Sequence, residues 1–345
     1  MRSIRELGRS KRPMAAGAAA LSALLVAACG AGATSGSSSG SNSSIFIQGV
    51  SRYATDPFVI TEGCAEAAEA KALGVKFSFD ASPTLDAATE ITHWDADLLK
   101  HPDGIVLGPP NASAMVGQIQ QASAQGIPVA VMNTGLSAQT GYKVFPPDWS
   151  HLGDLVAPLV LQAVGAQGTL GLIGDSPDNP NDMARWEAVQ VAVHNAYPGI
   201  TILPVQYGQT SSSTSAQVTE QMVAAHPDLG AIFVTNGPEG NGVESALAAL
   251  HATEKVKVIV IDASPTTLDG LRSGAVYAAI AQRPWVMGQE ALKSVVEYVK
   301  AHRGSTAPVT PGKPYLNPVP LTLVTKQNVD KLTVQTGLYV SSCPK

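Results

Sequence analysis

The residue types that most often carry out catalysis are spread along this 345-residue chain and do not form a catalytic motif. The sequence has no Gly-rich phosphate loop, no His/Cys cluster at metal-ligand spacing and no Gly-x-Ser-x-Gly elbow. We therefore expect a protein that is not an enzyme and that holds neither a metal nor a cofactor. Its histidines stand far apart, at His93, His101, His151, His194, His226, His251 and His302.

The first 28 residues have the parts of a secretory signal. Five basic residues between Arg2 and Arg12 precede an apolar run of about 15 residues, which is shorter than the roughly 20 needed to span a bilayer. The run ends in Val26-Ala27-Ala28-Cys29, a tetrad that resembles a bacterial lipobox. We predict that Cys29 is diacylated and becomes the mature N-terminus; the alternative is an ordinary signal in which this cysteine stands by chance.

Residues 29–44 are rich in Ser, Gly and Ala and predict a flexible tether. A tether behind a lipidated cysteine places the protein in the cell envelope. We expect it either in the periplasm or anchored to the outer face of the cytoplasmic membrane.

Net charge limits the expected kinds of partner, and chain length indicates the number of domains. The signal holds five of the 22 basic and one of the 27 acidic residues, so the mature chain has 17 against 26 and a formal net charge of −9. An acidic chain without a Lys/Arg block argues against nucleic acid as a partner. The 317 mature residues are enough to form two domains.

Cys64 and Cys343 are the two cysteines that remain after processing. In an exported chain they can form a disulfide that ties the C-terminal end to the first helix. Two unpaired thiols are the alternative, and the sequence leaves both open.

From residue 45 the chain alternates short apolar strands with helices. In the first half we predict strands at 45–47, 75–79, 104–107 and 127–131 and helices at 59–73, 87–99 and 113–125. After a boundary near 146–150 the alternation resumes, with strands at 169–173, 201–205, 231–234, 256–261, 275–280 and 319–325 and helices at 183–197, 215–225, 242–251, 266–272 and 286–302. This order predicts an α/β protein with two doubly wound parallel-sheet lobes.

Ligands of such sheets sit beyond the carboxyl ends of the strands. Two lobes that face each other would therefore bind a ligand in the cleft between them and close over it by a hinge motion.

Four groups of segments between Ile45 and Thr325 match one family pattern in order and spacing. They are Tyr53-Ala54-Thr55-Asp56-Pro57-Phe58; 102–107 with 126–129; 226–229 with 231–236; and 260–265 followed by Gly274, 279–284 and Met287-Gly288. Together they resemble the type I periplasmic binding proteins, in particular the ribose and galactose group.

The resemblance implies two lobes joined by a hinge of three crossings, near residues 146, 263 and 283. The N-lobe would comprise 45–147 and 284–316, the C-lobe 148–283 and 317–330, and a tail 331–345. It also implies a monomer that captures a small sugar or sugar alcohol and delivers it to an ABC permease in the membrane.

The same resemblance implies ligand-binding residues in the first half of the chain. Asp56 would accept hydrogen bonds from sugar hydroxyls, and Phe58 would stack on the apolar face of the ring. Asn133 stands where sugar binders usually have Asp. Asp56 could instead be a helix-start residue, and Phe58 a core residue.

In the second half of the chain the resemblance implies four more ligand-binding residues. Arg185 matches the arginine that grips the ligand, and its fork of donors suits neighbouring oxygens. Asn236 and Asp262 follow strands, and Gln282 lies on the third hinge crossing. Arg185 could instead be a solvated helix residue, and Asn236-Gly237 a turn.

The sequence departs from the pattern of ribose binders in several places. Val59 replaces a second stacking aromatic, and Thr134 stands where Arg is frequent. The pocket is therefore expected to be less charged and less aromatic, which favours a deoxy sugar, a polyol or another pentose over ribose. Stacking could come instead from Trp149, Trp186 or Tyr207.

Two other classes share this fold. A lactose-repressor-type transcription factor would need a helix-turn-helix at its start, where this chain has a signal and a tether. The alternative that stays open is a ligand-binding co-receptor for a membrane sensor, with a sugar or an autoinducer-2-like ligand, because both functions use the closed lobes for docking.

Overall fold

A computed structural model describes residues 44–84, 86–135 and 140–344. The predicted signal, the predicted lipidation at Cys29 and all of the predicted tether except Ser44 lie outside the described residues. Within the described ranges, no helix is both long and apolar enough to cross a membrane.

The N-terminal half forms a five-stranded parallel sheet with the order β2-β1-β3-β4-β5. Its central strands are continuous apolar runs, as expected for a parallel sheet that is covered on both faces. The elements are β1 (Phe46–Ser51), α1 (Pro57–Leu73), β2 (Lys76–Ala81), α2 (Ala87–Leu98), β3 (Gly104–Gly108), α3 (Val116–Ala124), β4 (Val129–Met132) and β5 (Lys143–Phe145).

The second sheet has the order β12-β11-β10-β9-β6-β7, with β8 paired to β6. Its strand pairs are parallel except that β12 runs antiparallel to β11. The elements are α4 (Leu152–Val164), β6 (Thr169–Gly174), α5 (Pro180–Ala196), β7 (Thr201–Ile202), β8 (Gln206–Tyr207), α6 (Ser212–Ala225), β9 (Leu229–Val234), α7 (Gly237–Ala249), β10 (Lys257–Ile261), α8 (Pro265–Ser273), β11 (Ala278–Ala281), α9 (Pro284–Ala301) and β12 (Thr322–Thr325). The predicted α/β class with two doubly wound lobes is confirmed.

Helix α9 belongs to the first lobe although it follows the second sheet in the chain. Its buried face, from Met287 to Val299, packs with Ile47 and Val106 of the first sheet. Strand β12 then joins the second sheet. The N-lobe is therefore built from β1–β5 with α9, and the C-lobe from β6–β12.

The prediction of a hinge crossing near residue 263 is wrong. Strands β10 and β11 on either side of it pair with each other in the C-lobe sheet, so the chain stays in that lobe. The crossings lie near residue 146, near residue 283 and between α9 and β12. Isolated bridges from Val144 to Leu316 and from Pro147 to Val319 place the first and last of these side by side.

Helix starts place several polar side chains at the carboxyl ends of the strands. Asp56 caps α1, where its side chain accepts a hydrogen bond from the Phe58 N–H and Pro57 supplies the first helical residue. Asn236 caps α7 in the same way, with Glu239 N–H as donor.

The tail after β12 returns to the N-lobe. A disulfide joins Cys343 to Cys64 in α1 across 279 residues. The sequence left open whether these two cysteines are bonded or free, and in the structure they are bonded. The tail is therefore attached to the first helix.

Candidate functional site

A cavity of about 260 Å³ lies between the two lobes. Each lobe lines it with residues that follow strands or begin helices, which is where parallel sheets bind ligands. The N-lobe supplies Arg52, Pro109, Pro110, Asn133 and Thr134, and the C-lobe supplies Asp175, Asn179, Asn181, Asp182, Arg185, Thr210 and Asn236. A second cavity of about 330 Å³ shares Pro110, Thr134 and Asp175 with it and continues the cleft.

Arg185 is a positively charged residue in the C-lobe wall of the cavity. It lies in α5, is 8% exposed, and donates from Nη1 to the Thr235 carbonyl at 2.7 Å. Its guanidinium lies over the ring of Trp149, 4.7 Å from the centroid, so this tryptophan, one of the alternative stacking residues, faces the arginine. Arg185 Nε has no hydrogen-bond partner among the described residues. This buried donor is therefore not satisfied by the described part of the protein.

Carboxyl groups stand beside this arginine. Asp182 accepts a hydrogen bond from Asp175 N–H at 2.8 Å through Oδ2, whereas its Oδ1 is buried with no partner in the described structure. Burial raises the pKa of Asp182, against the opposing effects of hydrogen bonding and of Arg185. Behind them, burial raises the pKa of Glu239 to about 8, with Asp182 and Asp175 adding to the shift. This wall thus offers both a cationic donor and carboxyl groups.

Asn133 is the polar contribution from the end of β4. Its backbone takes the left-handed conformation at a φ of 65°, which asparagine tolerates better than most residues. Its N–H donates to the Phe145 carbonyl at 3.1 Å, while its Oδ1 is buried and has no partner within the described ranges. Asn133 therefore provides an unsatisfied acceptor in the cavity wall.

Arg52 is a lining residue that sequence reasoning missed. It follows β1 directly, is 6% exposed, and donates from Nη1 to the Gly108 carbonyl at 2.8 Å. The same nitrogen lies 3.6 Å from Glu62 Oε2. A charged residue immediately after a buried strand was the signal that could have revealed it.

The N-lobe also contains three buried glutamates, Glu62, Glu66 and Glu90. Burial raises the pKa of Glu62 to about 7 and that of Glu90 to about 8, and in both cases the positive charge of Arg52 opposes the shift. The pKa of Glu66 is raised well above its usual range, by burial and by Glu62. These carboxyls hold protons at neutral pH more readily than exposed glutamates do.

The other four predicted site residues form a separate group next to the cavity, which we call the hinge cluster: Asp56, Phe58, Asp262 and Gln282, together with Tyr339 of the tail. None of the five is among the residues that line the 260 Å³ cavity. Asp262 Oδ1 accepts from Gln282 Nε2 at 2.7 Å and from the Tyr339 hydroxyl at 2.9 Å. Its Oδ2 accepts from Gly237 N–H at 3.3 Å.

Phe58 in the hinge cluster is 5% exposed and packs edge-to-face against Tyr339, with ring centroids 5.4 Å apart. Burial raises the pKa of Asp56, and Asp262 adds to the shift, so the two carboxyls are close enough to interact. The structure thus brings Asn133, Arg185 and Asn236 together around the cavity and places the remaining predicted residues behind it.

No three His, Cys, Asp or Glu side chains of the described residues are grouped so that they could hold a metal ion. The arrangement around the cavity instead suits a polar solute that both donates and accepts hydrogen bonds.

Comparison with known proteins gives one family. A family model described as "Periplasmic binding protein domain" matches residues 47–303. A D-apiose import binding protein of Paraburkholderia graminis is 26% identical over 285 residues, covering 80% of this chain and 86% of that protein. The D-allose-binding periplasmic protein of Escherichia coli is 24% identical over 242 residues, covering 68% and 78% of the two chains.

Solved structures share the fold. A solute-binding protein of an ABC transporter from Agrobacterium vitis, bound to α-D-tagatopyranose, superposes with a TM-score of 0.76 at 24% identity, covering 86% of this chain and 99% of that one. A sugar-binding protein of a sugar ABC transporter from Bacillus halodurans gives a TM-score of 0.77 at 21% identity, covering 84% and 100%.

Proposed function

This chain belongs to the periplasmic binding protein domain family, and from that premise we propose that it captures a small sugar or sugar alcohol between its lobes and delivers it to an ABC permease. Members of this family bind solutes and are not enzymes. The relatives named for D-apiose and D-allose import support a sugar as the ligand class.

The observation that carries this proposal is the cavity between the lobes. Polar side chains from both lobes line it, and Arg185 Nε, Asn133 Oδ1 and Asp182 Oδ1 are without partners among the described residues. Unsatisfied buried polar atoms are costly, so a ligand that pairs with them is stabilised by their satisfaction. A polyhydroxylated solute supplies both donors and acceptors within one small molecule.

We assign the direct contacts to Arg185, Asn133 and Asn236. Arg185 would donate to ligand oxygens, Asn133 would accept from a hydroxyl, and Asn236 would contact the ligand from the start of α7. Asp262 and Gln282 stay predicted ligand residues. Asp262 accepts one hydrogen bond from the N–H of Gly237, the neighbour of Asn236, and another from Gln282 Nε2. Asp56 and Phe58 also stay predicted ligand residues, and the Phe58 ring lies next to Arg52.

The first experiment is thermal unfolding of the purified protein with pentoses, hexoses, deoxy sugars and polyols. A ligand present at 100 times its dissociation constant stabilises the native state by about 2.7 kcal/mol. One sugar or polyol that raises the transition while its stereoisomers do not would support the proposal. The absence of any shift across the panel would refute the carbohydrate assignment and leave the family unchanged.

We further propose that Cys29 is lipidated and holds the protein at the membrane surface. The support is the sequence pattern of a basic start, an apolar run, the Val26-Ala27-Ala28-Cys29 tetrad and the tether that follows. Mass spectrometry of the mature N-terminus tests this. A diacylated Cys29 is expected in the native protein, and a Cys29→Ser variant should be released from membranes on fractionation.

A further inference from the structure

Tyr339 of the C-terminal tail makes contacts that the family resemblance predicts for a ligand. Its hydroxyl donates to Asp262 Oδ1, and its ring packs against Phe58, the residue predicted to stack on a sugar. The side chain is 4% exposed. Burial, with Asp262 and Asp56 nearby, raises the pKa of Tyr339 well above its usual range, so the hydroxyl keeps the proton that it donates.

The tail passes between the two lobes at this point. Leu338 packs against the C-lobe core, whose members include Ala281 and Val324. The next residue, Tyr339, belongs to the N-lobe core with Phe58. Two consecutive residues that pack against opposite lobes place this turn of the tail between them.

Contacts on both sides of Tyr339 hold it there. Before it, Gln335 accepts a hydrogen bond from Arg283 Nε at 2.7 Å through its carbonyl. After it, Val340 N–H donates to Thr61 Oγ1 at 2.8 Å, and Cys343 is bonded to Cys64. The position of Tyr339 is therefore fixed by the hinge on one side and by α1 on the other.

The direct contacts of Tyr339 lie next to residues that line the cavity. On the N-lobe side, Arg52 lines the cavity and lies 5.7 Å from the centroid of the Phe58 ring. On the C-lobe side, Asn236 lines the cavity and the adjacent Gly237 bonds Asp262. Tyr339 is therefore linked to a lining residue on each side, through its contacts with Phe58 and Asp262.

We propose that Tyr339 is a specificity-determining residue, which fills the inner end of the interlobe cleft and limits the site to compact sugars. This proposal rests on the proposed function. It explains why Asp262 and Phe58 contact the protein's own tail, and it predicts that the ligand lies on the Arg185 side of the cleft. A sugar with an additional hydroxymethyl group would need the space that the phenol ring fills.

The test uses pairs of sugars that differ by one hydroxymethyl group: D-xylose with D-glucose, and L-arabinose with D-galactose. Isothermal titration calorimetry measures their binding to the disulfide-bonded wild type, to Tyr339→Ala and to Tyr339→Leu. The leucine variant keeps apolar contact with Phe58 and guards against misfolding of the alanine variant. Tyr298→Ala is the matched control, because Tyr298 of α9 stacks on His302 and is not among the lining residues.

We expect the wild type to prefer the pentose of a pair. In the Tyr339 variants the affinity for the hexose should rise about tenfold relative to the pentose, the size of effect that one methylene has in a pocket. Tyr339→Phe should keep the wild-type preference, because its ring still fills the space. The same is expected of Tyr298→Ala.

Each other outcome is decisive. Wild-type binding with an unchanged hexose-to-pentose ratio in both Tyr339→Ala and Tyr339→Leu would overturn this proposal and leave the proposed function intact. Binding that appears only in the Tyr339 variants would support a blocking role for the side chain. No binding of these four sugars to the wild type or to the variants would overturn this proposal, whereas the proposed function is decided by the unfolding panel, which also contains deoxy sugars and polyols.

Discussion

The cavity beside Arg185 and the hinge cluster around Asp262 lie in the same interlobe region, and both hold residues that the family resemblance predicts to bind ligand. Their polar atoms differ. In the cavity, Arg185 Nε and Asn133 Oδ1 are buried with no partner in the described part of the chain. In the hinge cluster, both oxygens of Asp262 accept hydrogen bonds from the protein itself, and Gln282 Oε1 is buried without a partner among the described residues.

This difference shows that polar residues at the ends of strands differ in how far the protein itself satisfies their hydrogen bonds. Availability also matters, because a carboxylate that is already bonded by a glycine N–H, an amide and a phenol has little to gain from a ligand hydroxyl. Tyr339 of the tail occupies one hydrogen-bond position of Asp262, whereas Arg185 Nε and Asn133 Oδ1 have no partner among the described residues. Five variants test this contrast.

Removal of the disulfide should have the largest effect, which is a loss of stability. The double variant Cys64→Ser with Cys343→Ser frees a loop of 279 residues in the unfolded chain, and we expect a loss of about 4 kcal/mol in the free energy of unfolding. Chemical denaturation measures it, with Cys29→Ser as the control. A loss below about 1 kcal/mol would mean that the tail is held mainly by its other contacts.

Arg185→Ala should have the next largest effect, on ligand affinity. Loss of a hydrogen bond to a charged group weakens binding by about 1.5–3 kcal/mol, or roughly 10- to 150-fold. Asp262→Ala should lower the midpoint of unfolding and weaken the affinity less than Arg185→Ala does. Calorimetric titration gives both affinities, and Arg272→Ala, on an exposed arginine that pairs with Asp269 and Asp330, is the control. An equal loss in the Asp262 and Arg185 variants would remove the distinction between the two regions.

Stability should fall as the pH rises from about 4.5 to about 8, in part through Glu239 behind the cavity wall. Its pKa is raised from 4.5 to about 8, so the folded state keeps a proton that the unfolded state has lost. The stabilisation is complete below pH 4.5 and is lost as the pH passes 8. Each retained proton contributes a slope of about 1.4 kcal/mol per pH unit.

The variant Glu239→Gln should therefore flatten the dependence of unfolding free energy on pH between 5.5 and 7.5 by about 1.4 kcal/mol per pH unit. Glu62 and Glu90 act in the same direction and leave a residual slope. Glu254→Gln is the matched control, because the Glu254 side chain is 99% exposed. Identical slopes for wild type and Glu239→Gln would show that Glu239 is ionised in the folded protein.

Phe58→Leu should have the smallest effect. The substitution replaces one buried apolar side chain with another, and we expect a loss of about 1 kcal/mol in stability. If the ring packs against Tyr339 and does not stack on the sugar, ligand affinity should stay within about twofold of wild type. A larger loss of affinity, measured by the same titration, would support the predicted stacking of Phe58 on the sugar.

Local sequence was enough to predict most elements of this fold. Strands such as β3 and β10 are short apolar runs, and the helices between them have polar starts and a suitable length. Two elements next to the first crossing were missed. Helix α4 (Leu152–Val164) contains Pro158, a residue that argues against a helix interior, and only two of its side chains, Asp154 and Gln162, are polar. Strand β5 (Lys143–Phe145) has only three residues.

The sequence also determined which polar residues stand at strand ends, among them Asn133, Asn236 and Asp262. This follows from the chain itself, because a strand that ends in a polar residue places that residue at the edge of the sheet. Whether its side chain faces a cavity or another part of the protein was not determined locally.

Only the tertiary structure decided that point. Tyr339 reaches Asp262 across 77 residues of sequence, and Arg52 donates a hydrogen bond to the Gly108 carbonyl across 56 residues. The first of these contacts depends on how the tail packs between the lobes, where the Cys64–Cys343 disulfide attaches it to α1. Contacts between residues distant in sequence come from packing, which no local pattern of residue types specifies.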